Sequence, residues 1–177
     1  MDGAISEGKF VITDSGVDVL VNELKIKHQM DLRASNLENS RDMLPSNVSH
    51  KYYTTFYYAE TFGSHGVKSL RKIFTDLADP NNYPMYMHCT YGNDRTGTIV
   101  YLMGAVLGMD EKDLYTEWAL STFFSGTSFE KEMTEFLEIV QSYQGETLKD
   151  KISNYLISIG VTQEELDSFR NIMLSAE

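Results

Sequence analysis

The chain has a single cysteine and a single tryptophan among its 177 residues, and its 15 lysines and arginines are outnumbered by 26 aspartates and glutamates. One cysteine excludes an intramolecular disulfide bond. The formal net charge of −11 argues against nucleic acid or an anionic membrane as the main partner, because both require an extended basic face. The longest apolar run, residues 98–109, contains tyrosine and glycine and is too short to span a membrane.

The start of the chain has no cationic segment followed by an apolar run, which is the pattern of a secretion signal. We therefore expect a cytoplasmic protein, while a signal removed upstream of Met1 stays open. Hydrophobic residues make up 42% of the chain, which is enough for one sizeable core. No repeat or linker divides the sequence, so residues 1–177 are expected to form a single domain.

Hydrophobic periodicity and turn residues predict an α/β fold, with a small, mostly parallel central sheet flanked by helices and a helical C-terminal half. Strands are expected at residues 10–13, 28–32, 51–58 and 83–88. Helices are expected at residues 17–24, 67–77, 96–107, 111–121, 129–143, 148–159 and 164–174. Asp14 or Ser15 is the expected N-cap of the first helix, and residues 34–47 have the composition of a loop. Thr162 and Glu165 predict a capping box on the last helix, after a stop signal at Gly160.

The segment between the last predicted strand and the next helix carries the chemistry. Residues 88–98 read His-Cys-Thr-Tyr-Gly-Asn-Asp-Arg-Thr-Gly-Thr, so Cys89 and Arg95 are separated by five residues. Gly92 allows a tight turn in which several backbone N–H groups point inward, and the helix N-terminus adds further N–H groups and a positive dipole. The planar Arg95 guanidinium can bind two phosphate oxygens at once. These features predict a phosphate-binding loop.

The same electropositive surroundings favour a thiolate, which makes Cys89 the candidate nucleophile. His88 is expected to orient the loop by hydrogen bonding, and Thr96 to donate a hydrogen bond to the sulfur. The residues expected to bind the phosphate are Thr90, Tyr91, Gly92, Asn93, Asp94 and Arg95. Phosphate or sulfate is the expected occupant of the loop.

The stretch from His88 to Gly97 closely resembles the signature of protein tyrosine phosphatases, and in particular of the bacterial tyrosine phosphatase family, which typically reads His-Cys-x-x-Gly-Lys-Asp-Arg-Thr-Gly. Residues 30–33, Met-Asp-Leu-Arg, resemble the Ile-Asp-Leu-Arg strand of that family, and residues 155–166 resemble its C-terminal helical pair. The resemblance spans roughly residues 8–174. It implies a cysteine phosphatase fold, a phosphocysteine intermediate on Cys89, and no metal or other cofactor.

The sequence departs from the family pattern at two places. The usual Arg-Asp-x-Gly-Gly segment is not visible before Gly8, and Asn93 stands where the family has lysine. Enzymes that act on phosphoinositides benefit from basic residues in this loop, so Asn93 and the acidic net charge favour a phosphorylated protein over a phosphorylated lipid headgroup or small molecule. A tyrosine phosphatase is therefore the leading prediction, and dual specificity stays open.

Two acidic residues are candidates for the general acid that protonates the leaving oxygen. Asp94 precedes Arg95, the position thought to supply the acid in the bacterial family, and a bound phosphate would favour its protonated form. Glu60 is the second candidate, because it follows the predicted strand 51–58 where a movable loop would emerge. The sequence lacks a Trp-Pro-Asp triplet, and its only tryptophan, Trp118, is predicted to lie in the core.

Several other residues keep two interpretations. Asp31 and Arg33 either buttress the loop or form an ion pair at a strand end. The cations Lys68, Arg71 and Lys72 either offset the acidic field near the site or form a solvated helix face. The tyrosines Tyr52, Tyr53, Tyr57 and Tyr58 either line a cleft or alternate in a strand. The competing functions are a phosphoinositide or inositol-phosphate phosphatase, a phosphate-binding pseudophosphatase and a rhodanese-like sulfurtransferase.

Overall fold

The first two strands form a hairpin at the start of the chain. The computed structural model describes residues 3–6, 9–33, 44–125 and 129–175. Strand β1 (Gly3–Ser6) pairs antiparallel with β2 (Lys9–Ile12). The predicted strand 10–13 corresponds to β2 and is displaced by one residue, whereas β1 was not predicted. Its four residues include one large apolar side chain, Ile5, which is too weak a pattern to indicate a strand.

The first helix starts earlier than its apolar spacing predicts. Helix α1 (Asp14–Asp18) continues into a π-helical turn over Val19–Glu23. The N-cap is Thr13, whose hydroxyl oxygen accepts from the Gly16 N–H at 3.2 Å, so the expectation of Asp14 or Ser15 as cap was wrong. Asp14 lies in the first turn, where the positive end of the helix dipole stabilises its charge.

A narrow parallel sheet supports the site. Strand β3 (His28–Asp31) is central, with β4 (Ser49–Tyr52) on one side and β5 (Met85–His88) on the other. All four residues of β3 are buried, as expected of a parallel strand that is covered on both faces. Because the strands are parallel and in register, Tyr52, Asp31 and His88 end at the same edge of the sheet. Ligands bind at this carboxyl edge in α/β folds.

Helices cover the sheet and form the C-terminal half, as predicted. They are α2 (Ser64–Leu77), α3 (Asp94–Leu107), α4 (Glu111–Ser125), α5 (Glu130–Ser142), α6 (Leu148–Ser158) and α7 (Gln163–Leu174). The Thr162–Glu165 capping box is present at α7, and Gly160 has the positive φ of 100° typical of a glycine beyond a helix end. The small mostly parallel sheet with a helical second half confirms the predicted α/β class.

The core lies between the sheet and these helices. Met30 and Leu32, in and after β3, are fully buried together with Leu70 and Phe74 of α2. Helix α3 is the central helix of the C-terminal half, because it packs against α4, α6 and α7. Its buried face includes Ile99, Leu102, Ala105 and Val106. The first turn of α3 is thereby held firmly at the sheet edge.

The predicted strand 51–58 was wrong in its bounds. Strand β4 covers only Ser49–Tyr52, and the chain then leaves the sheet and forms a 3₁₀ turn over Tyr58–Phe62. Thr55 explains part of this departure, since its hydroxyl donates to the Leu32 carbonyl at 2.7 Å and draws the segment across the end of β3. Most of the predicted loop 34–47 lies outside the described residues, which resume at Leu44.

Candidate active site

The loop between β5 and α3 lies at the carboxyl edge of the sheet, as the sequence predicts. Cys89 directly follows β5 and is buried, with 7% of its surface exposed. The Gly92 N–H points at it and donates to Cys89 Sγ at 3.3 Å. Gly92 has a φ of 83°, which only glycine adopts without strain, so the predicted tight turn is present. The thiol therefore lies inside a curved loop with the Gly92 N–H on its inner side.

Arg95 and the start of α3 close this loop. The helix begins at Asp94, so its unpaired N–H groups and positive dipole end are next to the loop. The Arg95 guanidinium donates to the Thr90 hydroxyl at 2.9 Å and so joins the two ends of the loop. Asn93 precedes the helix and its side chain forms no capping bond, while Tyr91 is 69% exposed at the rim. The local structure thus brings all of the predicted phosphate-binding residues into one turn.

His88 forms hydrogen bonds that hold the base of the loop. Its Nδ1 lies 3.0 Å from the Cys89 carbonyl oxygen, which can only accept, so Nδ1 carries the proton. Nε2 then accepts from the Gln29 amide at 2.8 Å. Burial lowers the pKa of His88, although the nearby Asp31 opposes the shift, so the ring is neutral at physiological pH. Gln29 was not identified from the sequence, because a buried polar residue in the middle of a strand carries no local signal of its partner.

Thr96 lacks the hydrogen bond expected of it, whereas Thr98 forms two. The Thr96 hydroxyl is buried and, in the part of the chain that the structure describes, has no hydrogen-bond partner, so the expected bond to the sulfur is not formed. The Thr98 hydroxyl instead donates to the Asp94 carbonyl at 2.8 Å and accepts from the Tyr58 N–H at 3.0 Å. Thr98 therefore fastens the 3₁₀ turn to the first turn of α3.

Asp94 is held by residues that are distant in sequence. The Tyr58 hydroxyl donates to Asp94 Oδ1 at 3.1 Å, and the Trp118 indole N–H donates to that same hydroxyl at 3.1 Å. Burial, with a smaller contribution from the Asp94 charge, raises the pKa of Tyr58 to about 12, so the hydroxyl keeps its proton. Trp118 is buried, as predicted, but it also belongs to this chain of hydrogen bonds.

A comparison with models of protein families shows which family the chain belongs to. Residues 9–175 match the model of a family described as the tyrosine phosphatase family. The chain belongs to the tyrosine phosphatase family. A search of curated proteins found no match to the chain. The match covers both the loop and the C-terminal helices, so the resemblance expected from His88–Gly97 extends over almost the whole sequence.

Glu60, the second candidate for the general acid, takes no part in the hydrogen bonds that hold Asp94. Glu60 is exposed in the 3₁₀ turn, and its carboxylate forms no hydrogen bond or ion pair with any of the described residues. Its neighbour Tyr58 contacts Asp94 instead. The 3₁₀ turn was expected to supply the acid, but it supplies Tyr58, a hydrogen-bond donor to the other candidate, Asp94.

Asp31 and Arg33 form a buried ion pair beneath the sheet edge. Arg33 donates from its Nε to Asp31 Oδ1 at 2.8 Å and from Nη2 to Oδ2 at 2.5 Å, and its backbone N–H also donates to Oδ1. Burial raises the pKa of Asp31, but the hydrogen bonds from Arg33 outweigh it and hold that pKa below its usual value. The His88 ring lies 4.0 Å from the Asp31 carboxylate, so the pair also lies against the base of the loop.

Two concavities flank this region. One of about 120 Å³ adjoins the loop and is lined by Gly92, Thr96 and Trp118 among others. A larger one of about 400 Å³ is lined by Lys51, Arg71 and Lys72 but by no residue of the loop. Two of the three predicted cations, Arg71 and Lys72, thus line a separate groove. No helix in the described residues is both long and apolar enough to cross a membrane.

Proposed function

We propose that this protein hydrolyses phosphate monoesters of phosphorylated proteins, most of all phosphotyrosine, through a phosphocysteine intermediate on Cys89. The observation that carries the proposal is the contact of the Gly92 N–H with Cys89 Sγ inside a loop closed by Arg95 and the N-terminus of α3. A phosphoryl group in this loop has backbone donors around its oxygens and the sulfur beneath its phosphorus. That arrangement favours in-line attack by the sulfur.

In the first step the Cys89 thiolate attacks phosphorus and the bond from phosphorus to the ester oxygen breaks. Arg95 and the loop N–H groups bind the non-bridging oxygens, whose charge they stabilise. Asp94 gives its proton to the departing oxygen, so the alcohol leaves neutral. A phosphate dianion beside Asp94 favours the protonated carboxyl that this step needs.

In the second step water attacks the phosphorus of the phosphocysteine and the sulfur–phosphorus bond breaks. Asp94, now a carboxylate, takes the proton of the attacking water, and inorganic phosphate leaves while Cys89 returns to the thiolate. Thr96 is the candidate donor to the departing sulfur. Its hydroxyl is buried without a partner among the described residues and is therefore available for a bond that forms during the reaction.

Two features support a phosphorylated protein as substrate. Asn93 and a net charge of −11 disfavour a polyanionic inositide, since the loop has no lysine to offset several phosphates. The exposed Tyr91 at the rim offers an aromatic surface to a phosphorylated tyrosine ring. Action on phosphoserine and phosphothreonine, which would make the enzyme dual-specific, is an extension that the same loop allows.

The proposal is tested by assaying phosphate release from phosphotyrosine peptides, phosphoserine peptides, phosphoinositides and inositol phosphates. We expect the highest kcat/KM with phosphotyrosine peptides, and no turnover by Cys89→Ser although that variant still binds phosphate. Turnover by Cys89→Ser would refute the phosphocysteine mechanism. A preference for inositides would refute the substrate class, and binding without turnover by the wild-type protein would identify a pseudophosphatase.

The general acid is tested with leaving groups of different quality. The nitrophenolate of nitrophenyl phosphate leaves without a proton, whereas the phenol of phenyl phosphate has to be protonated as it leaves. We expect Asp94→Asn to lower kcat about 100-fold for phenyl phosphate and much less for nitrophenyl phosphate. Glu60→Gln is the control and should match the wild type on both. The reverse pattern would assign the acid to Glu60.

A further inference from the structure

A chain of hydrogen bonds joins α4 to the candidate acid through one tyrosine. The indole nitrogen of Trp118 can only donate, so the Tyr58 oxygen accepts from it at 3.1 Å. The proton of the Tyr58 hydroxyl is then directed at Asp94 Oδ1, also at 3.1 Å. The direction of both bonds is therefore determined by the chemistry of the groups.

Tyr58 is held in position at its backbone as well as at its hydroxyl. Its backbone N–H donates to the Thr98 hydroxyl at 3.0 Å, and that hydroxyl donates to the Asp94 carbonyl at 2.8 Å. The residue has a φ of 49°, which is unusual for a bulky side chain and persists only where the surroundings require it. Only 4% of its surface is exposed, so water does not compete for the hydroxyl. The backbone conformation thus aims the ring at the first turn of α3.

We propose that Tyr58 is the positioning residue for the general acid: its hydroxyl occupies Asp94 Oδ1 and leaves Oδ2 to carry the proton toward the leaving oxygen. A carboxyl group that is free to rotate presents its proton in the right direction only part of the time. The bond from Tyr58 removes this freedom, and the bond from Trp118 keeps the Tyr58 proton on the correct side. This inference rests on the proposed function, because it requires Asp94 to be the acid.

The test is Tyr58→Phe, which removes the hydroxyl and keeps the ring. We expect kcat for phenyl phosphate to fall about tenfold, because a hydrogen bond to a carboxylate is worth roughly one such factor. KM and the inhibition constant of orthovanadate, a phosphate analogue, should stay within about twofold, and kcat for nitrophenyl phosphate should be nearly unchanged. A general loss of structure would instead lower both kcat values and raise KM and the inhibition constant of orthovanadate. Trp118→Phe should produce the same selective pattern at about threefold, since it loosens Tyr58 without removing its bond to Asp94.

Tyr155→Phe is the matched control. Tyr155 is buried to a similar degree, and its hydroxyl has no hydrogen-bond partner within the described residues, so its removal should leave every kinetic constant unchanged. A second measurement compares the double variant, Tyr58→Phe with Asp94→Asn, with Asp94→Asn alone. We expect the same kcat for phenyl phosphate in both, because the group that Tyr58 positions is already absent.

The outcomes separate this inference from the function on which it rests. If Asp94→Asn is selectively slow with phenyl phosphate while Tyr58→Phe equals the wild type, Tyr58 does not position the acid and the proposed acid stands. If Asp94→Asn itself shows no selective loss, the acid assignment fails and the positioning role fails with it. Equal losses on both esters, with weaker vanadate binding, would assign Tyr58 a purely structural role and overturn the inference.

Discussion

Replacement of Arg33 by methionine should lower the free energy of unfolding by about 3–5 kcal/mol. The Asp31 carboxylate is completely buried and accepts hydrogen bonds from the Arg33 side chain on both of its oxygens. Methionine has a similar length but no donor, so the carboxylate would remain in the interior without its counter-ion. The cost of that unpaired charge, rather than the net attraction of the pair, determines the size of the effect.

The expected change in melting temperature follows from the size of the chain. A loss of 1 kcal/mol shifts the Tm of a protein of this length by about 2–4 °C, so Arg33→Met should melt roughly 6–20 °C lower. The effect should depend on pH. Arg33 holds the pKa of Asp31 below its ordinary value of 3.8 in the folded protein. The stabilisation from this pair is therefore present above about pH 4 and is lost as the pH falls through the pKa of Asp31 in the folded protein. The difference in free energy of unfolding between the variant and the wild type should become smaller over that pH range.

Urea unfolding at pH 7, followed by circular dichroism, measures the effect. The control is Lys131→Met, which removes an exposed ion pair with Glu135 at 3.7 Å and should cost less than about 0.5 kcal/mol. A double variant, Asp31→Leu with Arg33→Met, should be more stable than Arg33→Met alone, because no charge is then left buried. A free energy of unfolding for Arg33→Met within about 1 kcal/mol of that of the Lys131→Met control would refute this prediction.

Three further predictions concern the loop, the buried histidines and the core. Gly92→Ala should cost about 1–2 kcal/mol and weaken vanadate binding, since the φ of 83° strains alanine although its Cβ would meet no atom within 4 Å. Gly97→Ala, a helical position with equal space for a Cβ, should be neutral or stabilising in the same assays, and equal losses would contradict this reasoning. Burial lowers the pKa of His28 and of His88 below 6.5 in the folded state, so the unfolded chain binds protons first. Stability measured by urea titration should therefore fall as the pH drops below about 6.5, and a flat profile between pH 7 and 5.5 would be inconsistent with neutral buried rings. Phe136→Ala should cost about 3–5 kcal/mol, because this ring is 1% exposed and packs against other aromatic rings; a loss below 1 kcal/mol in thermal unfolding would show that the core closes around the cavity.

Elements with strong local signals were predicted well from the sequence. Helix α7 has a capping box and a preceding glycine, so short-range preferences and burial agree there. The segment 51–58 shows the opposite case. Its tyrosines, threonines and phenylalanine are typical of a strand, yet only its first two residues pair with β3. The rest follows the Thr55 hydrogen bond and the turn at Tyr58, which composition does not reveal.

The sequence by itself determined the geometry of the loop from Cys89 to Arg95. Cys89, Gly92, Asp94 and Arg95 lie within seven consecutive residues, and a glycine turn before a helix N-terminus brings them together by local geometry alone. Only the tertiary structure decided what holds the candidate acid. Tyr58 lies 36 residues before Asp94 and 60 before Trp118, and their hydrogen bonds exist because helix packing brings the 3₁₀ turn, α3 and α4 to one place. Contacts over such separations depend on the whole core, so no short pattern in the chain encodes them.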